Sequence, residues 1–99
     1  MTAFTLHKLN LTGPSCSVRL TRSEAELLKA FTKATNAQLN FAALDKLLST
    51  HLSDTSAKAA LQVRMVRLRK KMHACGAEGS VIESIRNVGY QLFEPIDIQ

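Results

Sequence analysis

Apolar residues stand at Phe4 and Leu6, then at Leu9 and Leu11. Each pair has the two-residue period of a strand, and the phase slips between the pairs, which predicts two short strands or one strand with a bulge. Gly13-Pro14-Ser15 marks a turn, and Ser17-Val18-Arg19-Leu20 alternates again. A short antiparallel N-terminal sheet over residues 4–20 is the expectation.

The period then changes to that of helices. Thr21-Arg22-Ser23-Glu24 has the form of a capping box, in which the Thr hydroxyl accepts from the Glu24 N–H and the carboxylate reaches back to the Thr21 N–H. A helix over about 22–34 should follow, burying Leu27, Leu28 and Phe31. Thr35-Asn36-Ala37 breaks the pattern. Asn40 can cap a second helix over about 41–50, with Phe41, Leu44, Leu47 and Leu48 on its inner face. Ser49–Ser56 is polar apart from Leu52 and reads as a loop, with Asp54 or Thr55 as the next cap.

A third helix over about 56–74 carries Leu61, Met65, Leu68 and Met72 at helical spacing, and Gly76 stops it. Ala77-Glu78-Gly79-Ser80 reads as a flexible link. Residues 81–93 read as strand, turn and strand, ended by Pro95. The order of sheet, three helices and hairpin predicts an α+β winged helix-turn-helix in one domain over residues 1–99.

Charge sharpens this picture. The net charge is +5, and residues 57–73 hold Lys58, Arg64, Arg67, Arg69, Lys70 and Lys71 without one acid, which leaves the rest of the chain close to neutral. A solvated helix usually mixes signs; a single-sign helix suits a polyanion. At 100° per residue, the side opposite the core stripe collects Ala59, Val63, Val66, Arg67 and Lys70. Arg67 has the fork that pairs with guanine O6 and N7, and Val63 or Val66 can pack on thymine methyls. Arg64, Arg69, Lys70 and Lys71 are candidates to neutralise phosphates. Arg86, with Ser84 and Asn87 nearby, sits in the hairpin where an Arg can enter a minor groove. The competing reading of these residues is a solvated face, with the valines covered by the hairpin or the loop.

Enzymatic chemistry finds no support. His7, His51 and His73 are dispersed, His73 and Cys75 lack a second ligand pair, and no phosphate-binding Gly loop or nucleophile elbow is present. Glu24 and Glu26 suit the first turn of a helix through its macrodipole. No catalytic residue, metal or cofactor is expected. No apolar run approaches the ~18 residues that span a bilayer, and no secretory signal is evident, so a cytoplasmic protein is expected. Cys16 and Cys75 read as free thiols in a reducing compartment, with a single disulfide as the alternative.

Three blocks, in order, carry a family resemblance: Leu20-Thr21-x-x-Glu24-x-x-Leu27-Leu28, Arg67-Leu68-Arg69-Lys70-Lys71-Met72, and Ile82-x-Ser84-Ile85-Arg86-Asn87-Val88-Gly89-Tyr90. Together they resemble the effector domain of OmpR/PhoB-type response regulators, the output half of two-component systems. The resemblance implies transcription control through double-stranded DNA, with the third helix in the major groove and Arg86 in the minor groove. By position it places Val63, Arg64, Val66, Arg67 and Arg69 at DNA. It also implies tandem binding to direct repeats, and a loop near residues 49–55 able to touch RNA polymerase. The N-terminal sheet looks short by at least one strand. No receiver domain precedes the blocks, so a cut-out domain or a free-standing regulator is expected. The rival class is a protein-interaction module that keeps the fold without specific DNA binding, motivated by the two outward valines and the Ala-rich helix start.

Overall fold

A computed structural model describes residues 4–49 and 54–99. The slip in the first apolar pattern is a turn: Lys8 takes a left-handed conformation (φ 55°) between β1 (Phe4–His7) and β2 (Asn10–Thr12). β3 (Ser17–Arg19) pairs antiparallel with β2. The strand that looked missing comes from the other end of the chain. Beyond Pro95, β7 (Ile96–Ile98) lies parallel to β1, giving the order β3-β2-β1-β7. The first sheet is therefore mixed rather than purely antiparallel.

The helices follow their caps. In α1 (Arg22–Lys33) both halves of the capping box form: Glu24 N–H donates to Thr21 Oγ1 at 3.2 Å, and Thr21 N–H donates to Glu24 Oε1 at 2.8 Å. Leu27, Leu28 and Phe31 are fully buried, and such side chains each stabilise the fold by ~1.5–3 kcal/mol. The short strand β4 (Gln38–Asn40) runs directly into α2 (Phe41–Leu48), and Asn40 accepts from the Ala43 N–H at 2.8 Å. Of the expected inner face of α2, Leu44 is buried while Phe41, Leu47 and Leu48 are half-buried. The helix stops at Leu48 because Ser49 is left-handed (φ 54°). Residues 50–53 of the loop expected over 49–55 lie outside the described residues.

Asp54 caps α3 (Thr55–Ala74), accepting from the Ser56 N–H at 2.9 Å. Leu61, Met65, Leu68 and Met72 all face the core. The end of α3 is a Schellman motif with Gly76 at φ 109°: Ala77 N–H donates to the Met72 carbonyl and Gly76 N–H to the His73 carbonyl. Ala77 is buried against this cap, so the segment read as a flexible link begins as packed structure. β5 (Ile82–Ile85) and β6 (Gly89–Leu92) form the hairpin, and β4 joins on the far side of β6 to give β4-β6-β5. Gly89 is needed there because a Cβ would collide with the Leu39 carbonyl of β4.

One expectation is overturned. Cys16 and Cys75 are not free thiols but a disulfide, with Cα atoms 4.7 Å apart. The cause is the packing of the β2–β3 turn on the end of α3, where Ser15 N–H donates to the Cys75 carbonyl at 3.0 Å. That contact spans 59 residues of sequence, and local spacing carries no trace of it.

Candidate nucleic-acid interface

With the core stripe of α3 turned inward, the opposite face points to solvent. Val63 and Val66 are 48% and 42% exposed, and Arg67 and Lys70 are exposed beside them. Neither Arg67 nor Lys70 makes a hydrogen bond or ion pair among the described residues.

The other cations of the helix have partners within the protein. Arg64 donates to Ser23 Oγ. Lys71 reaches Glu24 Oε1 at 2.6 Å and the Arg19 carbonyl at 3.4 Å. Arg69 Nε donates to the Ile82 carbonyl at 2.6 Å, at the start of the hairpin. Lys58 lies over the Phe41 ring, 5.7 Å from its centroid. Thus Arg64 and Lys71 tie α3 to α1, Lys58 contacts α2, and Arg69 ties the helix to the hairpin.

Glu24 is buried. Burial pushes its carboxyl pKa up, but hydrogen bonds from Lys71 and Thr21, with the Lys71 charge, outweigh that and hold it below 4.5. Val63, Arg64, Arg67 and Lys71 line a cleft of about 570 Å³ with Thr21, Ser23 and Glu24.

The hairpin supplies the second part of the surface. Its turn closes with Val88 N–H donating to the Ile85 carbonyl, and Asn87 is left-handed (φ 63°). Ser84, Arg86 and Asn87 are all exposed. The tip is fixed to α2, since Val88 accepts from the Phe41 N–H at 2.9 Å and so satisfies a free donor at the start of that helix. Between α3 and the hairpin lies a cleft of about 290 Å³ whose lining includes Lys58, Gln62, Ser84, Arg86 and Asn87. Val66, Arg69 and Ser84 meet in an adjoining groove beside the buried Tyr90. Burial raises the Tyr90 pKa, against the opposing charge of Arg69.

Lys58 and Gln62 were not among the residues singled out for the site. Their spacing of four puts them on one helix face, and that was the available signal. His73 makes a local contact, its Nδ1 lying 3.0 Å from the Ala77 carbonyl, while Cys75 is in the disulfide. Among the described residues, no helix is long and apolar enough to cross a membrane.

The family model for "Transcriptional regulatory protein, C terminal" matches residues 15–92. Among solved structures, the chain is similar to the C-terminal domain of the nisin resistance regulator NsrR, a lantibiotic response regulator. The identity is 28%, the TM-score 0.69, and the match covers 93% of this chain and 92% of that one. It is also similar in fold to the DNA-binding domain of RstA from Klebsiella pneumoniae, solved in complex with the RstA box. Here the identity is 24%, the TM-score 0.65, and the coverage 84% of this chain and 81% of that one. No match was found among curated protein sequences. Family and fold are those of transcription regulators and not of an enzyme. The chain belongs to the family of transcriptional regulatory protein C-terminal domains, the OmpR/PhoB-type winged helix-turn-helix.

Proposed function

We propose that this domain binds double-stranded DNA in a sequence-specific manner to control transcription, with α3 in the major groove and Arg86 of the hairpin wing in the adjacent minor groove. The observation that carries this reading is the continuous surface of exposed Val63, Val66, Arg67 and Lys70 beside the exposed wing tip. Arg67 is free to donate two hydrogen bonds to guanine, and the valines offer apolar contact for thymine methyls. Lys70 neutralises a phosphate. Arg64, Arg69 and Lys71 each have an internal partner, so their first role is to hold α3 against α1 and the wing; their remaining N–H groups face phosphates. Ser84 and Asn87 add polar contacts around Arg86.

A fold shared with a domain solved on its DNA box supports the docking geometry. The same reading has the domain acting in the cytoplasm, as a tandem pair on direct repeats, with the 49–55 loop turned toward RNA polymerase. Binding to fluorescent duplexes over a salt series tests it. Affinity should fall steeply with salt, and Arg67→Ala should weaken specific sites more than random DNA. Equal loss on both would remove Arg67 from base readout.

A second reading is a protein-interaction module, favoured by the exposed Val63 and Val66. A stoichiometric protein partner, together with no preference among genomic DNA fragments, would select it.

A further inference from the structure

We infer that Cys16 and Cys75 form a reversible redox site that clamps the C-terminal end of α3, with a small-molecule disulfide and its thiol, such as the glutathione couple, as co-reactant. The two cysteines belong to backbones that meet closely without help from the sulfurs. Ser15 N–H donates to the Cys75 carbonyl at 3.0 Å. A Cβ on Gly13 would strike that same carbonyl, and a Cβ on Gly76 would strike Pro14 and Ser15. Turn and helix cap are therefore held in register whether or not the bond is closed, and the Cα separation of 4.7 Å lies within the span a disulfide bridges.

The two sulfurs have unequal access. Cys16 is exposed on the β2–β3 turn, whereas Cys75 is fully buried. Attack from solvent is directed to Cys16, and Cys75 serves as the resolving partner. In the oxidising direction the Cys16 thiolate attacks glutathione disulfide, expelling one glutathione and forming a mixed disulfide. The Cys75 thiolate then attacks the Cys16 sulfur and expels the second. The two cysteines lose two electrons and two protons, and glutathione disulfide gains the electrons. Two glutathione thiols reverse the sequence. Reversibility rests on the cytoplasmic placement given under the proposed function: in such a reducing compartment a disulfide is more often a transient, redox-sensing bond than a permanent staple.

The bond bears on the helix through its cap. Cys75 is the C-cap of α3, its N–H shared between the Lys71 and Met72 carbonyls, and the Schellman bonds of Gly76 and Ala77 follow at once. Opening the disulfide removes the covalent tie on this last turn and leaves its backbone hydrogen bonds, the His73–Ala77 contact and the packing of Cys75 and Ala77.

The test equilibrates the whole chain at a series of ratios of reduced to oxidised glutathione, then counts free thiols by alkylation and mass, records Tm, and follows amide hydrogen exchange. The expected result is a single two-electron transition from no free thiols to two. Reduction should lower Tm by at least about 5 °C and speed exchange at Cys75, Gly76 and Ala77 while core amides of α1 stay protected. Cys16→Ser, an exposed substitution, should match the reduced protein and ignore the glutathione ratio, whereas Cys75→Ala should match it in Tm but hold Cys16 as the glutathione mixed disulfide under excess glutathione disulfide. Two free thiols under excess glutathione disulfide would overturn the proposal. So would a Tm and cap exchange that do not change with the ratio. None of these readouts needs DNA, so they stand apart from the test of DNA binding.

Discussion

Lys71 Nζ lies 2.6 Å from Glu24 Oε1, joining the last turn of α3 to the first turn of α1. The carboxylate is the same one that completes the α1 capping box. One buried acid therefore serves two purposes: it caps a helix, and it removes one cation from the basic face of the next. Lys71→Met should leave Glu24 buried with its burial penalty unopposed by the ammonium. Removing one partner of a buried pair is costly, but the Lys71 side chain is 29% exposed. We expect a loss of about 1–3 kcal/mol in urea unfolding. An unchanged midpoint would show that the pair contributes nothing to stability.

The same pair sets an acid limit. The Glu24 pKa is lowered in the folded state relative to 4.5, so its contribution is complete above that value and is lost as pH falls below 4.5 and through the folded pKa. Stability measured from about pH 6 down to about pH 3 should fall more steeply for the native chain than for Glu24→Gln. Parallel curves would assign the acid sensitivity elsewhere.

Arg69 separates two roles that sequence alone merges. If its main task is to hold the wing through the Ile82 carbonyl, Arg69→Ala should lower Tm and weaken DNA binding with little change in the salt slope. Lys70→Ala should do the reverse: stability stays, affinity drops on all sequences, and the slope of log K against log salt shrinks by about 0.9. A slope change for Arg69→Ala as large as that for Lys70→Ala would make phosphate contact, and not the wing, the main task of Arg69.

Gly89→Ala tests the join between wing and α2. A Cβ there would drive into the Leu39 carbonyl, so β4 must separate from β6. The expected cost is about 2 kcal/mol or more in thermal or urea unfolding. A neutral substitution would mean that β4 can move away from β6 freely.

Much of this architecture is legible along the chain because its signals are local. The Thr21–Glu24 box, the Asn40 cap and the Leu61-Met65-Leu68-Met72 stripe each declare themselves within a few residues. β4 and β7 do not. Gln38-Leu39-Asn40 and Ile96-Asp97-Ile98 are three-residue strands defined by partners far away, β6 in one case and β1 in the other. The disulfide is invisible for the same reason. At the site, the structure shows Arg67 and Lys70 exposed on the outward face, which the periodicity of α3 identifies. That periodicity could not tell which cations are already engaged: Lys71 is answered by Glu24, 47 residues away, and Arg64 by Ser23, 41 away.

The most direct measurement is selection of bound duplexes from random DNA by the purified chain at near-physiological salt. Enrichment of one motif, recovered as a direct repeat and abolished by Arg67→Ala with Arg86→Ala, is the outcome expected of an outward α3 with its wing alongside. A pool that stays random through successive rounds, while binding remains equally strong on every sequence, would contradict specific readout by this surface.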